Sequence, residues 1–185
     1  MNNINFKANF ISHINVKKLN SGKYQDKNVA FVELNTSSEN DFNCLRENYY
    51  NWDYDNNLIR DIYFCFYKRR AKERGFEQER LFALTDQVND YEHLNSDRIL
   101  GYLQMTKENK DSTEIDLLQV NPEYLKMIED PAYKRIGTGL IKSLFKLIPD
   151  KEFFLYSYDT AIDFYRKLGF QLCDARSNLM KIVRK

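Results

Sequence analysis

Proline is scarce in this chain, three residues in 185, and glycine is little commoner, with six. No stretch is rich in proline, glycine or serine, and no repeat or low-complexity segment interrupts the sequence. These absences exclude a linker-joined or fibrous architecture and predict one domain spanning residues 1–185. Cysteine is limited to Cys44, Cys65 and Cys173, odd in number and widely spaced. That excludes a disulfide framework, and no His or Cys stands at metal-ligand spacing beside them, so no metal is expected. Histidine is limited to His13 and His93, read as a strand and a loop side chain. No apolar run approaches the length of a membrane helix. The first six residues lack a basic block followed by an apolar one, so the expectation is no secretory leader and a cytoplasmic location. Neither sign of charge dominates: Lys and Arg number 28 and Asp and Glu 27. A net charge of +1 argues against nucleic acid or a membrane as partner.

What the chain does have is apolar and aromatic mass. It is 43% hydrophobic and carries thirteen Tyr and thirteen Phe, enough for a sizeable core. Alternation predicts a strand at 10–16 and apolar runs predict others at 29–34, 81–84, 99–105, 115–120 and 152–156. Ser37 or Ser38 is placed to cap a first helix, and a second runs from about Asn57 to Arg74 with Gly75 as its cap. The basic residues Lys68, Arg69, Arg70, Lys72 and Arg74 fall at the end of that helix. Cations favour such an end, so they read as a solvated terminus. Further strands are expected at 170–173 and 179–183, after a last helix ended by Gly169.

One segment stands out. Lys134-Arg135-Ile136-Gly137-Thr138-Gly139-Leu140-Ile141 reads as a glycine-punctuated turn opening a helix whose apolar face continues through Leu144, Phe145 and Ile148. The two glycines would let a ligand approach the backbone. The first N–H groups of such a helix lack internal partners and lie at its positive end, which suits a phosphate. No Gly-Lys-Ser/Thr follows, so it is not a P-loop, and the third glycine of a dinucleotide fingerprint is missing. A strand before it and another after it make a crossover unit, with a ligand expected at the carboxyl end of the first strand.

Three motifs in this order resemble the GCN5-related N-acetyltransferase superfamily. They are Leu118-Gln119-Val120, the Arg/Gln-x-x-Gly-x-Gly/Ala pattern met by Lys134 to Gly139, and Ala161-x-x-Phe164-Tyr165-x-Lys167-x-Gly169-Phe170. The match covers residues 97–185 well, and the N-terminal half, with acceptor-side helices at about 38–74, by architecture. The resemblance implies an α/β (more narrowly α+β) fold. Its mixed, mostly antiparallel sheet is flanked by helices and opens into a cofactor cleft between the splayed fourth and fifth strands of the family's core. It implies acetyl-CoA as co-substrate, held by Leu118, Gln119, Val120, Lys134, Arg135, Ile136, Gly137, Thr138, Gly139, Leu140, Tyr158 and Lys167. Lys134 replaces the usual Arg or Gln, and Tyr158 stands where the family often has a cofactor-contacting Asn. Dimers are frequent in this family.

The implied reaction is acetyl transfer to the primary amine of a small molecule or peptide. Such an amine has a pKa of about 10.4 and must lose a proton before attack. Glu114, six residues before Val120, lies at the offset where histone-type members carry a general-base glutamate, and Asp116 would face the same side. A solvent-exposed polar strand end fits both equally. Open backbone N–H groups near Val120 would polarise the thioester carbonyl. Tyr165 would donate to the departing thiolate, full transfer from a phenol near 10 to a thiol near 8.5 costing roughly 2 kcal/mol; Phe164 reads as packing. Tyr50, Trp52 and Tyr54, interleaved with Asp53 and Asp55, are the candidate acceptor residues, since aromatic faces beside carboxylates suit a cation. The other class of function compatible with the cradle is a non-catalytic CoA-binding sensor or interaction module. Finally, Pro122 to Asp130 reads as an insertion between strand and cradle, acidic at Glu123, Glu129 and Asp130, and expected to border the acceptor site.

Overall fold

Ser21 and Gly22 sit at φ of 49° and 78°, a pair of left-handed residues that closes a two-residue hairpin. They join β1 (Asn9–Asn20) to β2 (Lys23–Glu33), in register from Asn20↔Lys23 to Asn9↔Glu33 with one shift between Phe10 and Ser12. Both strands run well beyond the spans legible in the sequence. Their outer halves are Lys-, Asn- and Gln-rich ribbon, held by cross-strand pairing and by ion pairs such as Lys17–Asp26 at 2.9 Å. The computed structural model describes residues 7–52, 58–76, 78–125 and 128–184.

Apart from one two-residue strand, the remaining elements follow in the expected order. They are α1 (Glu39–Trp52), α2 (Leu58–Arg70), β3 (Glu79–Thr85), β4 (Ile99–Asn109), β5 (Ser112–Val120), the two-residue β6 (Tyr133–Lys134), α3 (Ile136–Leu147), β7 (Glu152–Tyr156), α4 (Ile162–Lys167), β8 (Gln171–Asp174) and β9 (Leu179–Val183). One sheet carries them in the order β6-β1-β2-β3-β4-β5-β7-β9-β8. Every pairing is antiparallel except β5 with β7. That exception is the crossover through α3.

Both faces of the sheet are covered, which is why its central strands read as continuous apolar runs. Phe31, Phe82, Leu84 and Leu103 face α3 and α4 with Ile136, Leu140 and Leu144. Ala30, Val32, Ala83 and Tyr102 face α1 and α2 with Leu45, Ile59, Ile62 and Phe66. Ser38 caps α1, its hydroxyl accepting from the Asp41 N–H at 3.1 Å, while Asp41 accepts in return from the Asn35 N–H at 2.7 Å.

The second helix stops four residues earlier than its sequence predicts. Lys72, at φ 58°, takes the left-handed cap position expected of Gly75, and the Glu73 N–H reaches back to the Lys68 carbonyl at 3.0 Å. The basic residues at this end serve to fasten it. Arg70 donates to the carbonyls of Thr36 and Ser38, each at 3.1 Å, and pairs with Glu39. No helix among the described residues is long and apolar enough to cross a membrane.

Candidate active site

Two irregularities of β5 make the site. Its pairing with β4 slips by one between Gln104↔Leu117 and Met105↔Ile115, which leaves Asp116 as the extra residue of a β-bulge. Its pairing with β7 ends at Glu114↔Phe154. Beyond that point the two parallel strands diverge, and alternate residues of Ile115–Val120 turn their N–H and C=O groups away from β4 into the gap. The gap is a cleft of about 270 Å³ lined by Asp116, Leu117 and Leu118 of β5, Tyr156 and Tyr158 after β7, Phe164 and Tyr165 of α4, and Leu58 at the start of α2. The expected splay is present, between the strands numbered β5 and β7 here.

The cleft separates the two candidate carboxylates. Asp116 lines it, whereas Glu114 occupies the last paired position and is not among the lining residues. Burial pushes the Asp116 carboxyl up to about 7, and the neighbouring charges of Glu114, Glu79 and Glu108 push the same way. The Thr106 hydroxyl, donating at 2.8 Å, opposes them. Glu114 is raised by partial burial and by the charge of Glu108. Asp116 is therefore the carboxylate placed to take a proton in the cleft. Its bulge position has no local sequence signature, because the slip belongs to the β4–β5 pair.

Tyr165 lies in the floor, 9% exposed, with its ring 4.9 Å from Phe164 and 5.7 Å from Phe170. Burial pushes its phenol up to about 12. Tyr158 is 66% exposed at the cleft mouth. Lys167 is exposed at the end of α4.

At the cradle, the glycines let neighbouring elements pack closely. A Cβ on Gly139 would stand 3.0 Å from Leu84 Cδ1 and 3.5 Å from Val16 Cγ1, so this glycine lets α3 settle on the sheet. A Cβ on Gly137 would stand 3.1 Å from Phe164 Cζ, so this one lets α4 close on the first turn of α3. Gly101 completes the set, unforeseen from the sequence: a Cβ there would meet the Gln119 carbonyl at 2.8 Å and Ile136 at 3.1 Å. Arg135, exposed and at φ 67°, forms the N-cap of α3 without any side-chain cap, so the first-turn N–H groups are left for a ligand. Ile136 and Leu140 are core residues, and Thr138 is half-buried on that first turn. Lys134 turns aside, its ammonium 3.8 Å from the centre of the Tyr24 ring. Along the cleft wall, Leu118 and Val120 are half-buried, and the Gln119 side chain donates to the Val120 carbonyl at 2.7 Å.

The three aromatic acceptor candidates part company. Trp52 is 6% exposed, packed 5.4 Å from Tyr102, and also lines a second groove. Tyr50 is 71% exposed on the outer face of α1, beside Tyr49. Tyr54, with Asp53 and Asp55, lies outside the described residues. The second groove, about 390 Å³, is formed by Asn48, Asn51 and Trp52 of α1, Ser96 and Asp97 before β4, and Asn121, Pro122 and Glu123 after β5. Sequence reading missed its first wall because residues near 48 and 96 meet only in the fold. The insertion is anchored over it: Pro122–Tyr124 is a 3₁₀ turn capped by the Asn121 side chain, and Tyr124 packs 5.2 Å from Tyr133, which hydrogen-bonds Asp86 at 2.5 Å. Further along the insertion, Ile128 is 44% exposed and Met127 lies outside the described residues.

No protein-family model and no curated protein matches the chain. Solved structures do. A GNAT-family acetyltransferase from Desulfovibrio desulfuricans superposes with a TM-score of 0.57 at 12% identity, over 84% of this chain and 98% of that one. AtaTR bound with AcCoA gives 0.53 at 13% identity, over 84% and 92%. The Campylobacter jejuni N-acetyltransferase PseH gives 0.50 at 13%, over 85% and 99%. AtaT is also found complexed with acetyl-methionyl-tRNAfMet, with a TM-score of 0.52 at 11% identity, over 84% and 94%. With its bulged strand, parallel splay and uncapped helix, the chain has the fold of the GCN5-related N-acetyltransferases.

Proposed function

We propose that the chain is an acetyl-CoA-dependent N-acetyltransferase acting on a primary amine. The observation that carries this reading is the end of β5–β7 pairing at Glu114↔Phe154, which opens unpaired backbone beside Asp116 and Tyr165. Acetyl-CoA, when bound, supplies the thioester. Its pyrophosphate suits the first-turn N–H groups of α3 with Arg135, and its pantetheine arm suits the open edge of β5 at Leu118 to Val120.

Asp116 takes the proton from the acceptor ammonium and passes it to solvent. Burial lifts its pKa to about 7, into the range where a carboxyl can act as a base near neutral pH. The open N–H groups of β5 favour negative charge on the carbonyl oxygen as the amine–carbon bond forms and the carbon–sulfur bond breaks. Tyr165 donates a hydrogen bond to the leaving sulfur. With its phenol near 12 against a thiol near 8.5, surrendering the proton outright would cost about 5 kcal/mol, so it acts as a donor and not as an acid. The thiols of Cys44, Cys65 and Cys173 are all free, which fits a reducing, cytoplasmic setting.

Release of free thiol from acetyl-CoA is the test, run against free amines, peptides and an aminoacyl-tRNA, the last because AtaT is complexed with one in acetylated form. The expected result is acceptor-dependent thiol release that Tyr165→Phe lowers by about 10²-fold with acetyl-CoA affinity unchanged. Arg135→Glu, at an exposed position, should weaken acetyl-CoA binding by about tenfold while the fold survives. Acetyl-CoA binding without thiol release for every acceptor would make the chain a sensor or interaction module.

A further inference from the structure

The groove beside α1 and the thioester cleft are both lined by the backbone segment that runs from β5 into the turn after it. Leu117 and Leu118 line the cleft, and Asn121 to Glu123, a few residues along the same backbone, line the groove. Trp52 at the end of α1 lines the groove, and Leu58 at the start of α2 lines the cleft. From Leu118 to Asn121, the nearest of these residues, an extended chain advances about 10 Å.

The groove is also electrostatically one-sided. Asp97 and Glu123 line it, and Glu47 is held at its rim by the Ser96 hydroxyl at 2.7 Å. No ion pair among the described residues involves any of the three, and no lining residue is cationic. The Trp52 indole and the amides of Asn48, Asn51 and Asn121 make up most of the remaining wall. Glu123 is fixed in place, because its N–H is bound by the Asn121 side chain at 3.0 Å and the next residue, Tyr124, is docked on Tyr133. Carboxylates without a cationic partner, beside an indole and amides, favour an organic cation.

Resting on the acetyltransferase reading, we propose that the acceptor is an aliphatic polyamine. One terminal amine enters the cleft lined by Asp116 and Leu118 while a second ammonium, about 10 Å further along the same backbone, sits in the groove beside Asp97 and Glu123. The groove thereby selects for acceptors that carry a second positive charge at that reach.

Spermidine, putrescine and n-octylamine separate the elements of the proposal, since octylamine has the reach of spermidine without its second charge and putrescine has the charge without the reach. Spermidine should exceed both by about tenfold in kcat/KM. Glu123→Gln and Asp97→Asn should each lower the spermidine value several-fold and leave octylamine unchanged, and added salt should narrow the spermidine advantage. Equal turnover of spermidine and octylamine, or variants that depress both alike, would overturn the proposal. Calorimetric titration of spermidine into the protein, alone and saturated with CoA, reads the groove without chemistry. Binding abolished by Glu123→Gln while no acceptor releases thiol would sustain the groove and sink the acetyltransferase reading. Binding indifferent to Glu123→Gln would sink the groove.

Discussion

At the residue scale the chain concentrates its unusual chemistry in Asp116. A carboxyl whose folded pKa is raised from 3.8 to about 7 favours its protonated form in the native state. Its contribution to stability is thus full below the unfolded pKa and is lost as pH rises toward 7 and above. Asp116→Asn should consequently be more stable than the parent at pH 8 and gain little at pH 4, read from urea midpoints. The same variant should lose about 10²–10⁴-fold in turnover with acetyl-CoA affinity unchanged. In the parent, the pH profile of kcat/KM should break near 7. Thr106→Ala removes the hydroxyl that favours the charged form, so the break should move to higher pH. A break that stays put would show that another group limits the rate. Gly101 supplies a second test at this scale. A Cβ there meets backbone oxygen of Gln119 at 2.8 Å, and backbone yields less readily than the Leu84 methyl that faces Gly139. Gly101→Ala should cost about 2–3 kcal/mol by chemical denaturation, and more than Gly139→Ala, where overpacking is partly offset by the helix preference of alanine.

At the element scale, function follows from where regular structure stops. β5 is bulged at Asp116 and unpaired on one side beyond Glu114, so a strand central to the sheet still offers open backbone. α4, only six residues long, brings Phe164 against Gly137 and Tyr165 under the cleft, tying the first turn of α3 to the cleft floor. The insertion after β5 belongs to the same group of departures. Its hold on the body passes through Tyr124 to Tyr133 and on to Asp86, which also receives Arg98. Tyr124→Ala should loosen Glu123 from the groove. The expected outcome is a raised KM for the acceptor, an unchanged dissociation constant for acetyl-CoA, and about 1–2 kcal/mol lower stability from the lost ring contact. Unchanged acceptor kinetics in a folded Tyr124→Ala variant would make the insertion a surface excursion and move the acceptor pocket to the connection between α1 and α2.

At the scale of the whole molecule, one sheet with a core on each face holds the cleft and the groove in fixed relation. α1 and α2 pack on one face and α3 and α4 on the other, and residues of α2 and α4 both line the cleft where β5 and β7 part. The order of elements was legible because each rests on a local signal. Apolar runs mark strands buried on both faces, Ser38 marks the start of α1, and the glycine-punctuated segment marks the start of α3. The ends of β1, β2 and α2 were not legible. Polar ribbon pairs through backbone alone, and Lys72 adopted a conformation that residue type reserves for glycine.

The amino-acid sequence by itself determined the crossover around α3, which depends on periodicity and short spacing, while the fold class and the place of Tyr165 in the cleft were legible as what the family resemblance of its motifs implies. Only the tertiary structure decided which carboxylate faces the cleft, because the bulge that presents Asp116 is a slip between two strands and appears in neither alone. It also decided that Gly137 and Gly139 serve packing, as the atoms they make room for come from Phe164, Leu84 and Val16, distant in the chain. The acidic groove arose in the same way, from α1, the turn before β4 and the insertion after β5. Charge and shape at a site are sums over neighbours in space, and the sequence orders those neighbours only along a line.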